Sequence, residues 1–307
     1  MILTICPNPS IDCTIELSNL NVGRMNRIES KIITYSGKAI NVAIGVCRLG
    51  GDCTVTGFMY KNDGEPFLRT LEKEGAKCSF VWSEGNVRTN YKIIDVRSMM
   101  TEINDKGESV SEEKQAELLK LASELAKDCT VAVMSGSLPQ GVEDDYYAKM
   151  VESIPRGVKV FVDAEGQKLL NAVKKGVFLI KPNLSELEAI VKEPLTARAD
   201  MVKACDRLLD MGAENVLLSI GRHGAIFTDG TKRYFAKTAN VAVNSTVGAG
   251  DSMLSAAAYM IERGADMKEV LRCSVAAGTA SITTAGTNLF YRDKYEEIYK
   301  NIKVQEI

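Results

Sequence analysis

Short apolar, β-rich runs alternate along the chain with amphipathic stretches of helical period. Strand-like runs fall at 2–5, 54–58, 130–134, 158–162, 177–180, 216–219 and 225–228. Helical candidates lie at 39–49, 64–74, 112–127, 144–153, 184–191, 197–211, 251–263 and 267–284. Several of the strands are apolar throughout, which is expected when helices cover both faces of a sheet. The β-α alternation with parallel crossovers predicts an α/β fold: a doubly wound, mostly parallel sheet flanked by helices. Ligands of such sheets bind at the carboxyl ends of the strands, where the strand order reverses.

Two segments break the pattern. Residues 13–35 alternate without a helix, and residues 88–104 contain the alternating run Asn90-Tyr91-Lys92-Ile93-Ile94-Asp95-Val96. Each reads as antiparallel strands, and together they predict a small β-sheet lid that also offers a dimerisation surface. No repeat, low-complexity tract or long linker interrupts the chain, so the expected organisation is a single domain over 1–307 carrying that lid.

Composition narrows the chemistry. The 307 residues are 45% hydrophobic and 25% charged, with a formal net charge of -2. That balance gives no reason to expect nucleic acid or an anionic membrane as partner. No apolar run reaches the roughly 18 residues a membrane helix needs, and Met1-Ile2-Leu3-Thr4-Ile5-Cys6 reads as a first strand and not a signal peptide. Eight cysteines without a Cys-x-x-Cys pair predict buried free thiols in a reducing, cytoplasmic setting. The lone histidine, His223, excludes any site that needs two. Proton transfer is therefore left to carboxylates, Lys, Tyr or Cys.

The segment Asn244-Ser245-Thr246-Val247-Gly248-Ala249-Gly250-Asp251-Ser252 precedes an apolar, alanine-rich helical run. Small residues before a helix leave bare backbone N–H groups at the positive end of its dipole, a ready anion hole. Asp251 stands where a carboxylate could take a proton from a hydroxyl while Gly248, Ala249 and Gly250 hold a phosphoryl group. The competing reading makes Asp251 a helix N-cap behind a glycine turn. The loop is not a Walker A sequence.

Other candidates sit at helix starts and strand ends. Ser36-Gly37-Lys38-Ala39-Ile40-Asn41 places a cation and an amide in a first helical turn and a half, against an ordinary strand-to-helix junction. Asp12 could bind paired sugar hydroxyls or merely cap a loop. Arg88 and Asn90 face one side of a lid strand and suit a phosphate, or blunt a sheet edge. Asn183 and Glu186, after Lys181-Pro182, read as a capping box or as groups near Mg²⁺. Ser219, Gly221 and Gly224 allow a nucleotide close to the backbone, or form a tight hairpin.

These motifs in this order resemble the phosphofructokinase B branch of the ribokinase-like sugar kinases over essentially the whole chain. The likeness is carried by Asn8-Pro9-Ser10-Ile11-Asp12, Gly37-Lys38-Ala39-Ile40-Asn41-Val42-Ala43, Arg88-Thr89-Asn90, Thr101-Glu102-Ile103-Asn104, Ser135-Gly136-Ser137-Leu138-Pro139, Lys181-Pro182-Asn183 with Glu186, Ser219 with Gly221 and Gly224, and the stretch from Ser245 to Met253. The resemblance implies a kinase that uses MgATP on a sugar phosphate. It makes Asp251 the catalytic base, with Gly248, Ala249 and Gly250 as its anion hole. Asp12, Gly37 and Asn41 then meet sugar hydroxyls, with Asn90 and Ser137 on the same substrate. Lys38, Arg88 and Arg27 meet the phosphate already present. Lys181, Asn183, Glu186, Ser219, Gly221, Gly224, Thr246 and Gly278 fall to ATP, and Glu186 reaches Mg²⁺ through water. A monovalent cation such as K⁺ beside the anion hole is also implied, and the lid surface read above makes a homodimer the expected assembly.

Two departures from the family pattern bear on the site. The usual Gly-Gly-Lys-Gly is here Ser36-Gly37-Lys38-Ala39, and Asp105-Lys106-Gly107-Glu108 replaces the Gly-Pro after Thr-Glu-Ile-Asn. Within the branch, Lys38 with Arg88 implies a phosphorylated acceptor. Fructose 1-phosphate stands first, on the Asn26-Arg27 pair and the form of the 246–253 stretch; tagatose 6-phosphate and fructose 6-phosphate follow. A non-catalytic regulator that binds sugar phosphate or nucleotide is the alternative from another class.

Overall fold

The computed structural model describes residues 1–97, 99–284 and 288–307. Its main sheet has eleven strands. Ile2–Cys6 lies between Cys53–Tyr60 on one side and Val131–Ser135 on the other, parallel to both. From Val131–Ser135 the parallel order continues through Lys159–Asp163, Leu179–Ile180 and Val216–Ser219. Ala225–Thr228, Arg233–Ala236 and Val304–Glu306 then extend it antiparallel. The order reverses at Ile2–Cys6, the switch point at which an open α/β sheet presents its crevice.

The apolar strands are buried on both faces, as expected from the sequence. Ile2, Cys6, Val131, Val133 and Phe161 pack on one face, with the Lys38–Arg48, Ala249–Glu262 and Met267–Ser281 helices. Leu3, Ile5, Ala132, Met134, Val160 and Val162 pack on the other, with the Glu112–Ala126, Tyr146–Ser153 and Arg198–Asp210 helices. Successive side chains thus alternate between two cores. Two short helices, Gly166–Val173 and Arg292–Tyr299, have no counterpart in the periodicity reading. Arg292–Tyr299 is rich in charge and buries only Ile298, which leaves no apolar stripe to read.

A second sheet of four strands runs Ser30–Ser36, Ser10–Leu17, Arg88–Asp95, Met100–Ile103. It occupies the two segments expected to form the lid, although Ser98, within the second, lies outside the described residues. The expectation of antiparallel strands holds for the outer pairs. The central pair, Ser10–Leu17 with Arg88–Asp95, is parallel instead, because the long excursion through the first part of the main sheet returns the chain to the same end of the lid. The sheet begins at Ser10, earlier than the alternation suggested, so Asp12 is a strand residue.

The lid's two faces differ in chemistry. Thr34, Asp12 and Asn90 pair across it on one face. The adjacent row, Ile33, Cys13, Tyr91 and Ile103, is on the other, and there Ile33, Tyr91 and Ile103 are exposed. No helix among the described residues is long and apolar enough to cross a membrane.

Candidate active site

Two adjoining cavities open at the switch point. One, of about 500 Å³, lies between the polar face of the lid and the strand ends. It gathers Asp12, Gly37, Lys38, Asn41, Arg88, Asn90, Ser137, Lys181, Asn183, Glu186, Gly248 and Asp251. The other, of about 690 Å³, is lined by Gly221, Gly224, Thr246, Ala249 and Gly278 together with Val241, Val243, Val275 and Ile282. Ser219 and Gly250 belong to both, so the cavities meet at the glycine turn. Of the residues proposed from sequence, Arg27 is the one that lines neither. It is exposed in the loop between Ser10–Leu17 and Ser30–Ser36.

Asp251 does not cap its helix. The N-cap of Ala249–Glu262 is Gly248, at φ 80°, a left-handed conformation that favours glycine. Asp251 sits in the first turn, 7% exposed, and its Oδ2 accepts a hydrogen bond from Asn41 Nδ2 at 2.7 Å. Asn41 is itself oriented by Ser36, whose hydroxyl donates to Oδ1 at 3.2 Å. Burial first, and the Asp163 carboxylate second, push the Asp251 carboxyl above its ordinary range; Asn41, Lys38 and Lys181 pull against them. A Cβ on Gly250 would stand 3.0 Å from Lys181 Nζ, so the bare glycine lets an ammonium lie beside the helix N-terminus.

Asp163, at the end of Lys159–Asp163, is a residue the sequence reading missed. It is 3% exposed. Its carboxylate accepts from Ser135 Oγ at 2.9 Å and lies 3.5 Å from Lys181 Nζ and 3.9 Å from Lys38 Nζ. Burial alone would raise its pKa, but Lys181 and Lys38 outweigh it and hold the group below the usual carboxylate range. Lys38, beside Asp163 and Glu165, is held above the ordinary lysine value, chiefly by Asp163. A carboxylate closing an apolar strand at its carboxyl end was the available signal.

On the lid side, Asp12 accepts from Lys92 Nζ at 2.9 Å, Ser10 Oγ at 3.1 Å and Asn90 Nδ2 at 3.2 Å. Lys92, buried with it, is a second missed residue. Arg88 donates to the carbonyls of Pro9, Asn8 and Asp105 at 3.2–3.3 Å, tying the lid strand to the departing 105–108 segment. Asn183 and Glu186 form a full capping box, each side chain accepting from the other's backbone N–H. Glu186 nevertheless lines the cavity, and burial raises its pKa.

Chemically, the arrangement suits phosphoryl transfer. A buried carboxylate and a helix N-terminus flanked by lysines stand at the junction of a polar cavity with a longer, partly apolar one. The pfkB family carbohydrate kinase model matches residues 8–294. A 1-phosphofructokinase of Borreliella burgdorferi is 32% identical over 100% of this chain and 99% of its own length. A tagatose-6-phosphate kinase of Staphylococcus epidermidis is 31% identical over the full length of both. Among solved structures, phosphofructokinase-2 of Escherichia coli in complex with potassium superposes with a TM-score of 0.91 at 28% identity, covering 98% of each chain. The chain belongs to the pfkB family of carbohydrate kinases, and is an ATP-dependent sugar kinase.

Proposed function

We propose that the protein transfers the γ-phosphoryl group of ATP to a hydroxyl of a ketose phosphate, foremost fructose 1-phosphate, yielding fructose 1,6-bisphosphate. The observation that carries this reading is the place of Asp251, buried where the polar cavity meets the second one. The kinds of relative support the acceptor class: both curated relatives act on ketose phosphates by their names. In this reading the sugar lies under the lid, its hydroxyls on Asp12, Asn90, Asn41, Gly37 and Ser137. Its own phosphate faces Arg88. Arg27 contributes only if the 18–29 loop of its own or a partner chain reaches the site.

Adenine and ribose occupy the cavity lined by Val241, Val243, Val275 and Gly278, with Ser219, Gly221, Gly224 and Thr246 beside the phosphates. Asp251 takes the proton from the attacking hydroxyl, and the N–H groups at Gly248, Ala249 and Gly250 receive the transferred phosphoryl oxygens. Lys181 and Lys38 neutralise the group in passage; the Asp163 carboxylate, 3.9 Å from Lys38 Nζ, supports Lys38 at the transfer end as well as toward the acceptor. Among the described residues no three His, Cys, Asp or Glu side chains converge as a metal cage. That suits Mg²⁺, which keeps most of its water and binds largely to substrate phosphates. Glu186, with Asn183, would hold it through water. A monovalent cation beside the anion hole is part of the same reading, supported by the potassium complex of the E. coli neighbour.

The exposed apolar row Ile33, Tyr91 and Ile103 supports a homodimer through the lid sheet, which light scattering would resolve from a monomer or tetramer. Eight free thiols support a cytoplasmic setting. Neither nucleic acid nor membrane is a partner in this reading.

The acceptor is tested by kcat/KM for fructose 1-phosphate, tagatose 6-phosphate and fructose 6-phosphate with MgATP. A site built of buried polar groups discriminates strongly against a misplaced phosphate, so fructose 1-phosphate is expected to lead by about 10-fold or more. A 6-phosphate with the higher value overturns that assignment. The raised Asp251 pKa adds a pH signature. The base works only when ionised, so kcat/KM should rise with pH along a limb centred above the ordinary Asp value of about 3.9. A limb at or below that value would contradict the burial argument.

A further inference from the structure

We propose that Asp163 is a positioning residue for the transfer step, one buried carboxylate that tethers Lys38 and Lys181 so that both ammoniums face the space where the two cavities meet. The inference rests on the kinase reading above and adds a residue to it. Its partners come from three separate elements. Ser135 ends Val131–Ser135, Lys181 follows Leu179–Ile180, and Lys38 opens the Lys38–Arg48 helix. Asp163, Lys38, Lys181 and Asp251 all line the same cavity.

The distances distinguish an anchor from a closed ion pair. Ser135 Oγ at 2.9 Å is an ordinary hydrogen bond and fixes the carboxylate. The ammoniums, at 3.5 and 3.9 Å, stand beyond the roughly 2.7–2.9 Å of a tight charge-assisted bond. They are held near their working positions but not consumed by Asp163, so an arriving phosphoryl oxygen can take them up. A phosphate would otherwise have to order two flexible side chains as it bound. The missing Cβ of Gly250 gives Lys181 its place beside the anion hole. A merely structural ion pair would need neither two lysines nor their convergence on the catalytic turn.

Asp163 also acts on Asp251 through charge. The charged groups that bear on Asp251 are Asp163, Lys38 and Lys181, with Asn41 as its hydrogen-bond partner. Removing the Asp163 charge takes away a like charge, leaves Lys181 without its anchor and leaves Lys38 only the exposed Glu165, 3.7 Å away. Both changes favour ionised Asp251.

The test compares Asp163→Asn with wild type by steady-state kinetics and by the pH profile of kcat/KM. Expected are a kcat lower by about 100-fold, KM for ATP and acceptor within about 3-fold, and an acid limb displaced to lower pH. A kcat near wild type overturns the proposal. So does a lowered kcat with an unmoved limb, which is what simple loss of packing would give. Should Asp163→Asn not fold, Ser135→Ala carries the test. It keeps the charge but frees the carboxylate, so kcat should fall several-fold with the limb in place; an unchanged kcat would count against the anchor. Absence of turnover in wild type itself points to failure of the kinase reading, a separate result.

Discussion

Asp251→Asn is expected to lower kcat by roughly 1,000-fold or more, since general-base catalysis contributes about 100- to 10,000-fold, while the Kd for ATP stays within a few-fold. Asparagine keeps the shape and can still accept from Asn41 Nδ2, but it cannot take the proton of the acceptor hydroxyl. Isothermal titration with ATP separates the two effects from misfolding. Thermal unfolding adds a check with a definite sign. The folded carboxyl has a raised pKa. Above about 3.9 the unfolded chain has lost this proton while the folded chain still holds it, so stability falls as pH rises through the window between the two values. Asparagine has no such penalty, and the variant should have a Tm at pH 7.5 at least equal to wild type. A markedly lower Tm would mean that Asp251 is held for stability and not for chemistry.

Asp12→Ala has the next largest expected effect, and it strikes binding and stability together. The change removes a group proposed to meet sugar hydroxyls and leaves Lys92 buried without its counter-ion. Breaking a buried pair by deleting one partner typically costs about 3–5 kcal/mol. The acceptor KM is expected to rise by about 100-fold or more, by analogy with sites whose buried polar groups lose their substrate partner. KM for ATP should change little, because the second cavity does not include the lid. Denaturant unfolding would report the stability loss. In the Asp12→Ala, Lys92→Met double variant much of that loss should return, whereas the acceptor KM should not. Recovery of both would assign Asp12 to the lid's stability alone.

Much of this was legible in the residues. The fully apolar strands and the helices between them read correctly because burial on both sheet faces leaves a signature that neighbours in sequence carry. The glycine turn marked the start of the Ala249–Glu262 helix, yet its own residues allowed Asp251 to be the cap. Only the fold showed that Gly248 holds that position. Asp163 and Lys92 stayed hidden for a different reason. Each owes its importance to partners 18 to 125 residues away, Lys181 and Lys38 for one and Asp12 for the other. The parallel pairing within the lid was missed because alternation reports which residues share a face and not the direction of the neighbouring strand. The departures from the family pattern also gained a meaning. Ser36, where glycine is usual, supplies the hydroxyl that orients Asn41 against Asp251. Ala39 is buried in the core behind it.

Product analysis decides whether Asp251 serves phosphoryl transfer to a ketose phosphate. Wild type and Asp251→Asn are incubated with MgATP and fructose 1-phosphate, and ADP and sugar bisphosphate are counted together. Wild type should give equal amounts of ADP and fructose 1,6-bisphosphate, and the variant neither above background. ADP without bisphosphate, or bisphosphate from Asp251→Asn at a near-normal rate, would contradict that role.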